Sequence, residues 1–103
     1  MRVLEIAPPW FTVPPHGYGG IEQVVAQLCD GLVDVGHEVT LLASGGSTSK
    51  ATIHNVFDEP PSEKLGSTCH EVTHVLAGYQ RRHAFDVIHD HSGFAGAALG
   101  AIL

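Results

Sequence analysis

The glycine-rich segment Gly17-Tyr18-Gly19-Gly20 lies between a short apolar run and an amphipathic segment. Glycine lets a backbone approach a ligand closely, and the first N–H groups of a following helix attract anions. A nucleotide diphosphate is a natural guest for such a loop. The spacing differs from the G-x-G-x-x-G pattern of dinucleotide-binding proteins, and a glycine turn without a ligand is the alternative interpretation.

A second segment with chemical potential, His89-Asp90-His91, follows an apolar run that predicts a strand. Ligands of open α/β sheets bind beyond the carboxyl ends of the strands, so one imidazole could contact a ligand as a hydrogen-bond donor or charge stabiliser. We expect His89 and His91 to point in different directions unless the chain bends, which argues against a metal site. Solvated loop histidines are the alternative in a chain with 8 histidines.

A third segment, His70-Glu71-Val72-Thr73-His74, matches the H-E-x-x-H pattern of zinc hydrolases. On a helix the pattern places two imidazoles on one face with a glutamate as general base, but a catalytic zinc also needs a third protein ligand and a cleft. The segment predicts only a weak helix. We expect His70 and His74 to be surface residues that bind no metal, and a zinc hydrolase is a minor alternative.

The elements that position these segments alternate between strand and helix patterns. Residues 3–7 predict a buried strand, residues 21–35 an amphipathic helix that ends at Gly36, and residues 37–43 a second strand. Together they form a βαβ unit, the building block of doubly wound sheets. The apolar stripe predicted to be buried on the helix comprises Ile21, Val24, Val25, Leu28, Leu32 and Val35.

The remaining segments extend the same pattern with weaker signals. Residues 51–57 favour a short strand, residues 62–83 a looser helix, residues 85–89 another buried strand, and a further helix begins at Phe94. The predicted fold class is α/β, a partial Rossmann-like, doubly wound parallel sheet of three to four strands. Such sheets usually have five or more strands, so we expect residues 1–103 to be a truncated domain.

Composition excludes several functional classes. The net charge is −6, with 5 basic and 11 acidic residues, which argues against binding to nucleic acid or an anionic membrane. The N-terminal apolar run, broken by Pro8 and Pro9, is neither a signal peptide nor a spanning helix. Cys29 and Cys69 have no metal-binding or redox spacing. We therefore expect a cytoplasmic protein.

In their order along the chain, these motifs resemble glycosyltransferase family 4, most of all its N-terminal, subfamily 4-like domain. Residues 1–22, with the Pro8-Pro9-Trp10 segment and the glycine loop, are similar to the first strand and loop of the family, and residues 24–45 to the next helix and strand. Residues 85–92 are similar to its later strand and histidine loop. The resemblance is weak between residues 47 and 83.

Membership would imply a retaining glycosyltransferase of the two-Rossmann GT-B type, with a hexosyltransferase-like reaction that uses a nucleotide-sugar donor and no metal or other cofactor. By position, Gly19 and Gly20 would lie against the donor diphosphate, and His91 would be the catalytic residue near the transferred sugar. The acceptor would be a sugar, a lipid or a small molecule. Because the C-terminal donor-binding domain is absent, we expect this chain alone to be inactive. A stand-alone nucleotide- or sugar-binding module is the alternative.

Overall fold

A computed structural model describes residues 1–103 as four strands and three α-helices. The strands are β1 (Arg2–Ile6), β2 (Glu38–Leu42), β3 (Thr52–His54) and β4 (Val87–Asp90), and the helices are α1 (Gly20–Asp34), α2 (Thr68–Tyr79) and α3 (Phe94–Ile102). The predicted α/β fold class is confirmed. None of the three helices combines the length and the apolar character that crossing a membrane requires.

The four strands form one parallel sheet in the order β3-β2-β1-β4. The chain moves outward from β1 to β3 and then crosses to the other side of β1 for β4. This is the order of the first four strands in Rossmann folds. The loops that leave β1 and β4 lead to helices on opposite faces of the sheet, so a crevice opens where these two strands end.

Helices cover both faces of the sheet, as a doubly wound fold requires. On one face, α1 packs on a core of nine buried residues that includes Val25, Cys29 and Leu41. On the other face, Val75 and Tyr79 of α2 pack on β1 and β2. Residues 3–6 of β1 are all buried, because this central strand is covered on both sides.

The buried face of α1 differs from the predicted stripe. Ile21, Val24 and Val35 are exposed by 52%, 58% and 73%. The residues that α1 buries are Glu22, Val25, Ala26 and Cys29. The prediction followed the large apolar residues, whereas small Ala26 and Cys29 side chains let the helix approach the sheet. Since one residue turns a helix by about 100°, the shift rotates the buried face by roughly that angle.

Helix α2 also approaches the sheet through a small residue. A Cβ at Gly78 would lie 3.0 Å from both Ile6 Cδ1 and Leu42 Cδ2. Glycine weakens a helix, but Gly78 lies at the centre of this helix–sheet contact. This contact positions α2, and with it Glu71 and Tyr79, beside the ends of β1 and β4.

Candidate functional site

A cleft of about 370 Å³ opens at the carboxyl ends of β1 and β4. Its walls come from the segment after β1, the glycine loop with the first turn of α1, and the turn between β4 and α3. Gly19, Gly20 and His91, which the sequence analysis assigns to one site, all line this cleft. The cleft lies at the switch point of the sheet, where doubly wound folds bind their ligands.

The two glycines next to α1 differ in what the fold requires of them. A Cβ at Gly19 would lie 2.8 Å from both Glu22 Oε1 and Pro15 Cβ, so packing alone demands glycine there. A Cβ at Gly20 would meet no atom within 4 Å. The N-cap residue of α1 makes no side-chain hydrogen bond, and the Glu22 carboxylate, which accepts from its own backbone N–H, lies beside the first turn. The other first-turn N–H groups and the positive end of the dipole can attract an anion.

The N-terminus of α3, by contrast, already holds a carboxylate. Glu71 Oε1 accepts hydrogen bonds from the backbone N–H groups of Gly93 and Ala95, both at 3.2 Å. Glu71 is the central residue of the H-E-x-x-H motif, and the structure places it as a cap of a neighbouring helix. Of the two helix N-termini that face the cleft, only that of α3 thus has a carboxylate from another helix bound to it.

The two histidines of the H-E-x-x-H motif do not form a metal site. His74 is fully buried, and its Nε2 donates a hydrogen bond to the carbonyl oxygen of Ala7 at 2.7 Å. His70 Nδ1 lies 2.9 Å from the hydroxyl of Ser67. The prediction that His74 is a surface residue was wrong, because α2 packs on the sheet through this face. The geometry removes the basis for the zinc hydrolase alternative.

His91 contacts a buried carboxylate that sequence reasoning missed. His91 Nε2 lies 2.8 Å from Glu5 Oε1, and His89 Nδ1 lies 3.1 Å from the same oxygen. The prediction that the two histidines point in different directions was wrong, because residues two apart on a strand share a face. In the sheet, Glu5 on β1 lies opposite His89 on β4, and its carboxylate contacts both imidazoles. A charged residue inside the apolar run of residues 3–7 was the available signal.

Asp90 organises the turn that presents His91. Its Oδ2 accepts a hydrogen bond from the hydroxyl of Tyr79 at 2.9 Å, and its Oδ1 accepts one from the N–H of Ser92 at 2.8 Å. Burial, followed by this carboxylate, raises the pKa of Tyr79 to about 12. The backbone N–H of His91 donates to the carbonyl of Ile6 at 2.9 Å, which fastens the turn to β1.

The charged side chains that line the cleft are acidic. Glu22 and Glu71 line it, and burial raises the pKa of Glu22. None of the basic residues of the chain is in the cleft wall; they are Arg2, Lys50, Lys64, Arg81 and Arg82. An anionic ligand at α1 would meet backbone N–H groups but no cationic side chain of this chain.

Comparisons with known proteins agree with the resemblance seen in the sequence. A solved structure, that of AviGT4, a glycosyltransferase involved in avilamycin A biosynthesis, aligns with a TM-score of 0.51 and 34% identity over 92% of this chain. The chain spans only 28% of the length of that protein. No curated protein sequence matches. The family model described as Glycosyltransferase Family 4 matches residues 18–103. Since that match covers most of the chain and includes Gly19, Gly20 and His91, the protein belongs to glycosyltransferase family 4.

Proposed function

We propose that residues 1–103 form one side of the active-site cleft of a retaining glycosyltransferase that uses a nucleotide-sugar donor and no metal cofactor. The family match and the solved neighbour support a glycosyltransferase. The observation that carries the proposal is that Gly20 and His91 line one cleft at the carboxyl ends of β1 and β4. The N-terminus of α1 and an imidazole thus border the same space.

In this proposal, the backbone at Gly19 and Gly20 binds the donor diphosphate. The N-terminus of α1, whose N-cap residue makes no side-chain hydrogen bond, offers its remaining N–H groups to the phosphate oxygens and stabilises the charge that develops as the diphosphate leaves. Gly20 supports this role because nothing in the fold requires a glycine there: it is exposed, and a Cβ would meet no neighbour. Its missing side chain leaves room for a close ligand.

His91 has the role of a catalytic residue at the transferred sugar. Its imidazole is mostly buried, held by the carboxylate of Glu5 at 2.8 Å and by its own backbone bond to Ile6. A ring fixed in this way can stabilise developing charge or orient a hydroxyl group of the sugar. The acceptor is a sugar, a lipid or a small molecule, and the reaction is cytoplasmic.

The acidity of the cleft supports a two-domain, GT-B architecture. A diphosphate bound at α1 lies near Glu22 and Glu71 and meets no cationic side chain of this chain. The compensating positive charge therefore belongs to a second, donor-binding domain across the cleft, and residues 1–103 are a truncated N-terminal domain. On this basis the chain alone transfers no sugar at a measurable rate.

The test compares Gly20→Ala with Gly17→Ala in the complete native polypeptide that contains residues 1–103. Both glycines belong to the same loop, and a Cβ added at either one would meet no atom within 4 Å. We expect Gly20→Ala to lower kcat/KM for the nucleotide sugar by about tenfold or more while Gly17→Ala stays near wild type. Equal activity of Gly20→Ala and wild type would remove the glycine loop from the donor site.

A second measurement tests whether residues 1–103 alone transfer sugar, and a third separates the enzyme from a stand-alone binding module. Transfer from a nucleotide-sugar donor is assayed with residues 1–103 alone and with a heat-treated control. The proposal expects the two to be equal, and turnover by the fragment would contradict it. The intact mass of the native polypeptide then decides whether a second domain accompanies these residues. A native mass of 10.9 kDa would favour the binding module.

A further inference from the structure

A buried carboxylate in the central strand has only imidazoles as partners. Glu5 is 1% exposed, and its ion-pair contacts are His89 and His91. The Lys and Arg ion pairs of the chain lie elsewhere, between Arg2 and Asp86 and between Lys50 and Asp34. Burying a carboxylate is costly unless a positive charge compensates it.

We propose that Glu5, His89 and His91 form a binding site for Zn²⁺. One ligand atom from each of the three residues lies within 4.8 Å of the others. Glu5 Oε1 lies 3.1 Å from His89 Nδ1 and 2.8 Å from His91 Nε2. Ordinary zinc–ligand bond lengths place neighbouring ligand atoms about 3.0–3.4 Å apart. Both distances from Glu5 Oε1 are therefore close to zinc spacing, and each histidine offers a nitrogen within 4.8 Å of the other.

The donor set and its exposure define the kind of site. Two imidazoles and one carboxylate suit zinc and other late transition metals and are a poor match for Mg²⁺, which prefers oxygen ligands. Glu5 is buried, whereas the His89 side chain is 54% exposed. The cluster therefore combines an anchored carboxylate with a side open to solvent. A cation can enter from that side, and water can complete its coordination.

The site goes beyond the proposed transfer reaction, which needs no metal. Zinc binding would engage His91 Nε2, the nitrogen that now contacts Glu5. If His91 also serves the transferred sugar, zinc and productive donor binding exclude each other, and zinc inhibits transfer. This last consequence depends on the proposed function, whereas the zinc site depends only on the three side chains.

The experiment measures zinc binding to the untagged chain of residues 1–103 by equilibrium dialysis and calorimetry, without any activity assay. A Cys69→Ser background removes the exposed thiol as a competing ligand. His89→Ala is the principal variant, because His89 is exposed and its loss leaves the core intact. Glu5→Gln is the second variant, with urea unfolding to verify that it folds. His83→Ala, an exposed histidine away from the cluster, and His70→Ala are the matched controls.

We expect one Zn²⁺ per chain, with affinity reduced about tenfold or more in His89→Ala and in folded Glu5→Gln, and unchanged in both controls. Excess Mg²⁺ should not compete. Absence of saturable zinc binding at micromolar concentrations would overturn the site, as would equal affinity of wild type and His89→Ala. Loss of binding in His70→Ala would assign the metal to the H-E-x-x-H segment instead and would also overturn it. None of these results depends on sugar transfer.

Discussion

His74 Nε2 donates a hydrogen bond to the carbonyl oxygen of Ala7 at 2.7 Å and thereby ties the middle of α2 to the end of β1. The imidazole is fully buried, and its ring stacks on Phe57 with an interplanar angle of 7°. Burial lowers the pKa of His74, an effect that the Ala7 hydrogen bond and the charges of Asp90 and Glu71 only partly oppose. The core therefore contains a neutral histidine.

This histidine makes stability depend on pH. The unfolded chain protonates His74 below its ordinary pKa of about 6.5, whereas the folded chain resists protonation. The contribution of neutral His74 to the free energy of unfolding is complete above about pH 6.5. It is lost as the pH falls toward the lowered pKa of the folded state, by at most about 1.4 kcal/mol per pH unit. Urea unfolding of wild type at about pH 7.5 and about pH 5.5, on either side of the ordinary pKa, measures the loss.

A matched pair of variants assigns this pH dependence to His74. His74→Gln keeps an N–H donor without a titrating ring, so its free energy of unfolding should fall less between the two pH values. His83→Gln removes an exposed histidine and should retain the wild-type difference. If His74→Gln and wild type lose the same stability, His74 is not the buried group that titrates.

The elements of the fold that could be predicted are those that depend on residues close together in the sequence. Strand and helix periods between residues 3 and 43 are properties of neighbouring residues, and they predicted the βαβ unit that the structure contains. The face that α1 buries could not be predicted in this way, since Ala26 and Cys29 are buried for their small size. Apolar periodicity gives more weight to large residues and so selected the wrong side.

The candidate site likewise contains some features that could be predicted from the sequence and others that could not. The resemblance to the family assigned Gly20 and His91 to one site, and both residues line one cleft. The contact of Glu5 with His91 joins residues 86 positions apart and depends on the pairing of β1 with β4, which no local pattern reveals. The burial of His74 likewise depends on which face of α2 meets the sheet.

Alanine substitutions at two helix glycines should change the stability of the chain in opposite directions. Gly31, on α1, is exposed, and a Cβ there would meet no atom within 4 Å, so Gly31→Ala should stabilise the chain by about 0.5–1 kcal/mol through helix propensity. A Cβ at Gly96, on α3, would overlap Asp90 Oδ2 and Ser92 Oγ. Gly96→Ala should therefore destabilise by about 2–3 kcal/mol. Urea unfolding measures both, and equal effects would contradict the packing of α3 on the turn.

The Tyr79 hydroxyl should contribute measurably to stability. Tyr79→Phe removes the hydrogen bond to Asp90 at 2.9 Å and leaves that carboxylate with one donor fewer, at a cost of about 1.5–3 kcal/mol. Tyr18, which is 87% exposed, provides the control, since Tyr18→Phe should leave the urea midpoint unchanged. A Tyr79→Phe variant as stable as wild type would show that the hydroxyl is not needed to hold the turn before α3.

Removing the cap of α3 should have two separable effects. Glu71→Ala frees the N–H groups of Gly93 and Ala95, so stability should fall by about 0.5–2 kcal/mol, as for the loss of other helix N-caps. It also removes a negative charge from the cleft and uncovers the positive end of α3, so the affinity of the chain for inorganic pyrophosphate should rise.

Glu63→Ala is the control for both measurements, because Glu63 is exposed, lies outside the three α-helices and is not part of the cleft wall. Calorimetric titration with pyrophosphate at low salt, where charge effects are strongest, compares the two variants with wild type. Lower stability with unchanged pyrophosphate affinity would restrict Glu71 to capping. Tighter binding in Glu71→Ala alone would show that this carboxylate opposes anions in the cleft.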